Sequence, residues 1–173
     1  MVRCGSKQPY EPLSVCTILI MMNEKYMRIA YKEALKAFEE DEVPVGCVIV
    51  KEDRVIAKAH NQKEKKNCAV SHAEIECIRK AAKKTGNWNL KGCVMYVTLE
   101  PCMMCTGALI NSRIDGIVFA CRDPKGGALV SNVRIKEIGG LNHYPLYEEG
   151  PMEKECAELL KEFFRNKRQK ANK

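Results

Sequence analysis

His72, Cys102 and Cys105 are three side chains whose types and spacing could hold a metal ion. They sit in the segments Ser71-His72-Ala73-Glu74 and Glu100-Pro101-Cys102-Met103-Met104-Cys105. One imidazole and two thiolates give Zn²⁺ three protein ligands and leave one tetrahedral position open. Two thiolates and a neutral imidazole also make the site formally neutral. An open zinc position holds water, whose pKa falls to about 7 from about 15.7 in bulk. The hydroxide so formed is a nucleophile. Glu74 lies two residues from His72 and is not needed as a ligand. A carboxylate there can take a proton from that water and pass it on, general acid–base work worth about 10²–10⁴ in rate.

Each part of this reading has a plainer rival. Ser71-x-x-Glu74 is also a capping box, which would make Glu74 a helix cap. Cys102-x-x-Cys105 could be a redox dithiol, although a thioredoxin-type pair belongs near the front of the chain after a first strand. A closed structural zinc site needs a fourth ligand, which Cys68, Cys77 or Cys121 could supply. His60 and His143 are the only other histidines, and both read as polar surface or supporting residues.

The elements that must position these groups alternate. A helix is expected from Asn23 to about Glu40, with Met27, Ala30, Tyr31, Ala34, Ala37 and Phe38 at helical spacing. Val45–Val50 and Arg54–Ala59 read as strands joined by a turn at Glu52-Asp53. A second helix runs from Ser71 to Lys84 and stops near Gly86. Val94–Leu99 reads as a buried strand. Pro101 stands where helix starts favour proline, and a third helix runs to about Asn111. Gly116–Ala120 is a short strand, 121–132 a Gly-rich loop, Val133–Ile138 a short helix and Tyr144–Tyr147 a last strand. From Pro151 to about Lys170, Cys156, Leu159, Leu160, Phe163 and Phe164 mark one buried helical face. Alternating strands and helices imply an α/β sandwich, with the strands flanking the third helix parallel. His72 and Cys102 both fall at helix N-termini, whose positive ends favour anions and lower thiol pKa values.

The chain of 173 residues reads as one domain beginning near residue 22. Residues 1–21 have no clear periodicity and read as a disordered or non-native extension. Val15–Met22 is too short to span a membrane, and no apolar run reaches the ~20 residues that spanning needs. Asn23-Glu24-Lys25 follows that stretch where small residues would mark signal cleavage, so a secreted protein is not expected. Ten cysteines spread over a chain able to form its own core suit a cytoplasmic protein with buried thiols better than a disulfide framework. The net charge of +7 is concentrated, because Lys161 to Lys173 alone contribute +5. That tail is either a solvated helix end or a surface for a polyanion.

With these residues set out, the chain resembles the zinc nucleobase deaminases, whose signature is H-x-E…P-C-x-x-C. Within them it looks like a bacterial tRNA adenosine deaminase of the TadA type over about residues 23–170. The segments Glu42-Val43-Pro44-Val45-Gly46, His72-Ala73-Glu74-Ile75, Val97 to Cys105, Gly107-Ala108, Ser112-Arg113-Ile114, Arg122-Asp123, Leu141-Asn142-His143 and Phe163-Phe164-Arg165 match that family in order. The resemblance implies a cytidine-deaminase-like three-layer sandwich, a five-stranded mixed sheet flanked by helices, in a homodimer. It implies one zinc per subunit on His72, Cys102 and Cys105, with Glu74 as proton shuttle. It implies hydrolysis of adenosine to inosine at the wobble position of tRNA. It sets Asn61 on the purine, with Pro44, Val45 and Ala73 lining the pocket. Asp123, Asn142, His143, Phe164, Arg165 and Arg168 fall where the family meets the anticodon loop.

Two positions depart from the family. A further glycine is usual where Val130 stands, and a proline is common at Gly139. Two other functions compete with the main reading. A free-base enzyme of the same fold, such as a guanine deaminase, would have no use for the basic tail. A zinc-stabilised RNA-binding module would have no use for Glu74 beyond capping, worth about 1 kcal/mol.

Overall fold

A computed structural model describes residues 23–171. The expected extension at residues 1–21 lies outside the described residues. Helix α1 (Glu24–Glu39) opens at Asn23, whose side chain accepts from the Lys25 amide at 3.0 Å. Met27, Ala30, Ala34 and Ala37 form its buried stripe. Strands β1 (Gly46–Lys51) and β2 (Arg54–His60) form a hairpin. Its two-residue turn puts Glu52 and Asp53 at φ of 48° and 58°, the left-handed pair that matches strand twist. The Tyr26 hydroxyl donates to the Asp53 carbonyl at 2.9 Å and ties the turn to α1.

Helix α2 (Ala73–Thr85) ends on Gly86 at φ 66°, where the missing Cβ removes the left-handed penalty. Strand β3 (Cys93–Leu99), helix α3 (Met103–Asn111) and strand β4 (Gly116–Cys121) form the expected crossover. A single 3₁₀ turn at Ile135–Glu137, strand β5 (Leu146–Glu149) and helix α4 (Glu153–Ala171) complete the chain. The five strands lie in the order β2-β1-β3-β4-β5. β1 runs antiparallel to β2 and β3, whereas β3–β4 and β4–β5 are parallel. The sheet is therefore mixed.

Strand alternation builds the three layers. On β1, Cys47 and Ile49 join the cluster with Ala73, Cys77 and Ala81 of α2 and Leu109 and Ile110 of α3. Val48 and Val50 join the opposite cluster with Tyr26, Met27 and Ala30 of α1 and Cys156 of α4. Gly46 shows how tightly α1 lies on the sheet. A Cβ there would stand 2.2 Å from the Ala30 carbonyl and 2.3 Å from the Ala34 amide nitrogen.

Three expectations need correction. α2 starts two residues later than expected, and its N-cap is His72 with no side-chain capping bond, so Ser71 and Glu74 form no capping box. α3 likewise has Cys102 as N-cap, so Pro101 precedes the cap and is not the first helical residue. In both cases a candidate metal ligand occupies the capping post. The last strand is Leu146–Glu149, two residues beyond the expected segment, because its register is set by pairing with Gly116–Phe119.

Candidate metal centre and the pocket around it

His72 and Cys102 cap two neighbouring helices, and Cys105 lies one turn into α3. The loop ends of β2 and β3 converge on the same spot. The His72 Nδ1 atom lies 3.7 Å from Cys102 Sγ and 3.7 Å from Cys105 Sγ. All three donor atoms fall within 4.8 Å of one another. Zinc bonds of about 2.0–2.1 Å to nitrogen and 2.3 Å to sulfur, at a tetrahedral angle, put N and S about 3.6 Å apart. The trio fits such an ion. Among the described residues no other His, Cys, Asp or Glu group clusters this way. The candidate fourth ligands are engaged elsewhere. The Cys77 thiol faces the Cys47 carbonyl at 3.8 Å, the Cys121 thiol donates to the Thr98 carbonyl at 3.2 Å, and Cys68 interacts with Ser71. The other described cysteines are free thiols, most of them buried.

Electrostatics in the trio split the two thiols, one held down and the other pushed up, so that they share a single proton. Hydrogen bonding from Cys105, helped by His72, pulls the Cys102 thiol down to about 4. The same bond, with burial, pushes Cys105 up. A divalent cation that displaces the remaining proton turns both sulfurs into thiolates. Bonding to Cys102 raises the His72 imidazole. Glu74 is 4% exposed, and burial lifts its carboxyl to about 7. A carboxyl near neutrality is matched to moving protons in both directions.

A cavity of about 830 Å³ opens above these groups, at the upper end of small-molecule clefts. Its walls include His72, Glu74 and Cys102, together with Val45, Asn61, Asp123, Phe164 and Arg168 from the expected set. Lys63, Arg122, Lys125 and Lys161 add to a cationic rim. Pro44, Ala73, Asn142, His143 and Arg165 are not among the lining residues. Ala73 is fully buried in the core. Asn142 accepts from Arg113 at 2.5 Å, and His143 Nε2 donates to the Ile114 carbonyl at 2.6 Å. The two therefore sit together at the end of α3. In the tail, Phe163 is buried against Phe38 while Phe164 is 45% exposed. Lys167 and Lys170 pair with Asp41 at 2.9 and 3.5 Å, so only part of the tail's charge faces the cavity.

Two carboxylates that sequence reasoning left unassigned organise the walls. Glu100 is 2% exposed. Its Oε1 accepts the amides of Leu129, Val130 and Ser131 at 3.0, 2.8 and 3.0 Å. Its Oε2 accepts the Asp123 amide at 3.1 Å and the Ser131 hydroxyl. Burial works to raise this carboxyl, but those bonds outweigh it and hold it below the usual range. The loop after β4 is thereby fastened beside the metal ligands. Gly127 is pressed against the clamp, since a Cβ there would stand 2.3 Å from the Glu100 carboxylate. Glu42, 1% exposed, holds Asn61 in the same manner. A charged residue directly before Pro101-Cys102, in a chain with a Gly-rich loop after its next strand, was the available signal for the first.

The family model of MafB19-like deaminases matches residues 21–168. The tRNA-specific adenosine deaminase of Bacillus subtilis (strain 168) is 43% identical over 148 residues, 86% of this chain and 92% of that protein. The enzyme of the same name from Aquifex aeolicus (strain VF5) is 45% identical over 148 residues, 86% of this chain and 97% of that protein.

The chain belongs to the tRNA-specific adenosine deaminase family.

A solved structure from a study of A-to-I editing by tRNA:A34 deaminases at the wobble position of transfer RNA superposes with a TM-score of 0.78. It is 42% identical and covers 80% of this chain and 100% of that one. A guanine deaminase from Bacillus subtilis shares the fold at a TM-score of 0.57 and 24% identity, over 83% of this chain and 94% of that one. Val130, one of the two expected departures from the family, donates through its amide to Glu100.

Proposed function

We propose that the protein is a zinc-dependent hydrolase that converts adenosine to inosine at wobble position 34 of tRNA, as a cytoplasmic homodimer whose single deaminase domain starts near residue 22. The observation that carries this reading is the buried Glu74 beside the His72/Cys102/Cys105 trio on the wall of a cavity with a cationic rim. Zn²⁺ held by His72, Cys102 and Cys105 would supply Lewis acidity that lets a water ionise near neutral pH.

The chain's own groups do the rest. Glu74 takes a proton from the attacking water as oxygen bonds to C6 of the purine. It returns protons to N1 and to the departing N6, so that adenosine and water become inosine and ammonia. Its buried setting near pKa 7 supports both roles. Asn61 orients the base beside Val45 on the cavity wall, with Pro44 and Ala73 acting on the pocket from behind the lining residues. Asp123, Asn142, His143 and Phe164 meet the anticodon loop, and Arg165 and Arg168 meet its phosphates. Anticodon bases are unpaired, so drawing one into a pocket costs little compared with a duplex base. Single-stranded RNA is bound by such aromatic and arginine surfaces. No described helix is long and apolar enough to cross a membrane.

The test is incubation of the zinc-loaded protein with an anticodon stem-loop carrying A at the wobble position. Inosine at that position alone is expected. No inosine from protein with one zinc per chain would overturn the reading, and free guanine and cytosine compounds would be tried next.

A further inference from the structure

Asn61 lies on the cavity wall and is 5% exposed. Its amide has two faces of opposite character, one carbonyl acceptor and one NH₂ donor. Which of them meets the base depends on what holds the other. Asn61 Nδ2 donates to Glu42 Oε2 at 2.9 Å. The second Glu42 oxygen accepts the Lys65 amide at 2.8 Å. The backbone on both sides is fixed as well. The Glu42 amide bonds the Ala37 carbonyl at 2.9 Å, and the Asn61 amide bonds the Val45 carbonyl at 3.0 Å.

Both Glu42 oxygens accept, one from the Lys65 amide and one from Asn61. Glu42 therefore claims an N–H of Asn61 and forbids the flipped amide, which would set oxygen against oxygen. One N–H and the Oδ1 atom remain. That pair is complementary to the N7 acceptor and 6-amino donor along one edge of adenine, the bidentate pattern by which Asn reads this base.

We infer that Glu42 is a positioning residue that fixes the polarity of the Asn61 amide, and that this polarity selects a 6-amino purine and disfavours the 6-oxo product. The inference rests on the wobble-adenosine reading. Deamination replaces the 6-amino donor by a carbonyl acceptor. The Asn61 oxygen that welcomed the substrate then faces another oxygen, so inosine is held less tightly than adenosine.

Glu42→Gln tests this because it keeps the shape and changes the pattern. The substituted amide keeps its oxygen on the Lys65 amide and turns its NH₂ toward Asn61. Asn61 must then answer with Oδ1 and present its NH₂ to the cavity. Kinetics would be measured on stem-loops with adenosine or 7-deazaadenosine at the wobble position, together with inhibition by the inosine stem-loop. Zinc content and thermal midpoint would be followed in parallel. The wild type is expected to lose about tenfold to a hundredfold in kcat/KM on 7-deazaadenosine, the cost of an unpaired buried donor. In Glu42→Gln the adenosine rate falls by about the same factor, and inhibition by the inosine stem-loop tightens at least threefold.

An equal loss on both substrates with unchanged product inhibition would make Glu42 merely structural and overturn the inference. So would wild-type behaviour. If Glu42→Gln does not fold, Asn61→Asp offers no donor, and it must lose the 7-deaza penalty for the inference to survive. Inosine formation by the wild type separates these outcomes from failure of the wobble reading, in which no inosine appears at all.

Discussion

Replacing Glu100 by glutamine would test whether one carboxylate holds the loop after β4. The two oxygens carry unequal loads. Oε1 takes three amides and Oε2 takes the Asp123 amide and the Ser131 hydroxyl. Glutamine can keep its oxygen on the crowded side, and the Ser131 hydroxyl can turn to accept. The Asp123 amide then faces an NH₂ group and loses its partner. A hydrogen bond to a charged group contributes about 1.5–3 kcal/mol. The three remaining bonds lose their charge assistance, which roughly halves each. The total is about 4–7 kcal/mol, a large share of the roughly 5–15 kcal/mol that holds a domain folded. Urea unfolding would read this as a lower midpoint at unchanged slope. Amide exchange would show the loss of protection confined to Asp123 and residues 129–131. A variant within about 0.5 kcal/mol of wild type, with those amides exchanging as before, would refute the clamp.

Three further outcomes are expected. Glu74→Gln keeps one zinc per chain and the fold but slows deamination about 10²–10⁴-fold; normal inosine formation would remove Glu74 from the chemistry. Lys161→Gln with Arg168→Gln weakens stem-loop binding and flattens the plot of log K against log salt by about 0.7 per lost phosphate contact; an unchanged slope would return the tail to ordinary solvation. Burial works to raise Glu33, but its bonds to Lys36 at 2.7 Å and His60 at 3.1 Å outweigh that and hold it below the usual carboxylate range. A depressed folded value stabilises above the unfolded pKa of about 4.3 and is lost as pH falls through the folded one. Urea titrations at pH 7, 5, 4 and 3 should therefore show a steeper acid decline for wild type than for Glu33→Gln, and equal declines would contradict it.

The periodic elements were legible in the sequence because local pattern determines them. The stripe of α1, the hairpin at Glu52-Asp53 and the β3–α3–β4 crossover all stand where spacing put them. The metal trio was legible because ligand type and separation are chemical requirements. The cap assignments were not. Ser71 is the better capping residue by propensity, yet His72 takes the post, which brings its ring to the two sulfurs. β5 was misjudged because its limits come from its neighbour β4 and not from its own residues. Long-range hydrogen bonds were invisible for the same reason. Glu100 to Ser131 and Glu42 to Asn61 join residues 31 and 19 positions apart, and no local rule pairs them. The partial neutralisation of the tail by Asp41 belongs to this class too.

The Glu100 clamp grips the chain almost wholly by main-chain amides, which every residue but proline owns. The side chains at 124, 125 and 130 are thus freed from that grip, while Leu129 packs in the core and Asn132 bonds the Lys125 carbonyl. Glycine can give way to valine at position 130 without loosening the grip, and Ser131 is the one side chain that takes part. Gly127, against which the carboxylate rests, is the fixed point. A loop built this way lets mutation explore new contacts at the mouth of the pocket while the chemistry beneath stays untouched. Changes in RNA preference among such enzymes should gather at residues 124, 125, 130 and 132, since Ala128 and Leu129 are buried and Ser131 serves the clamp, and proline should be missing at 123 and 129–131.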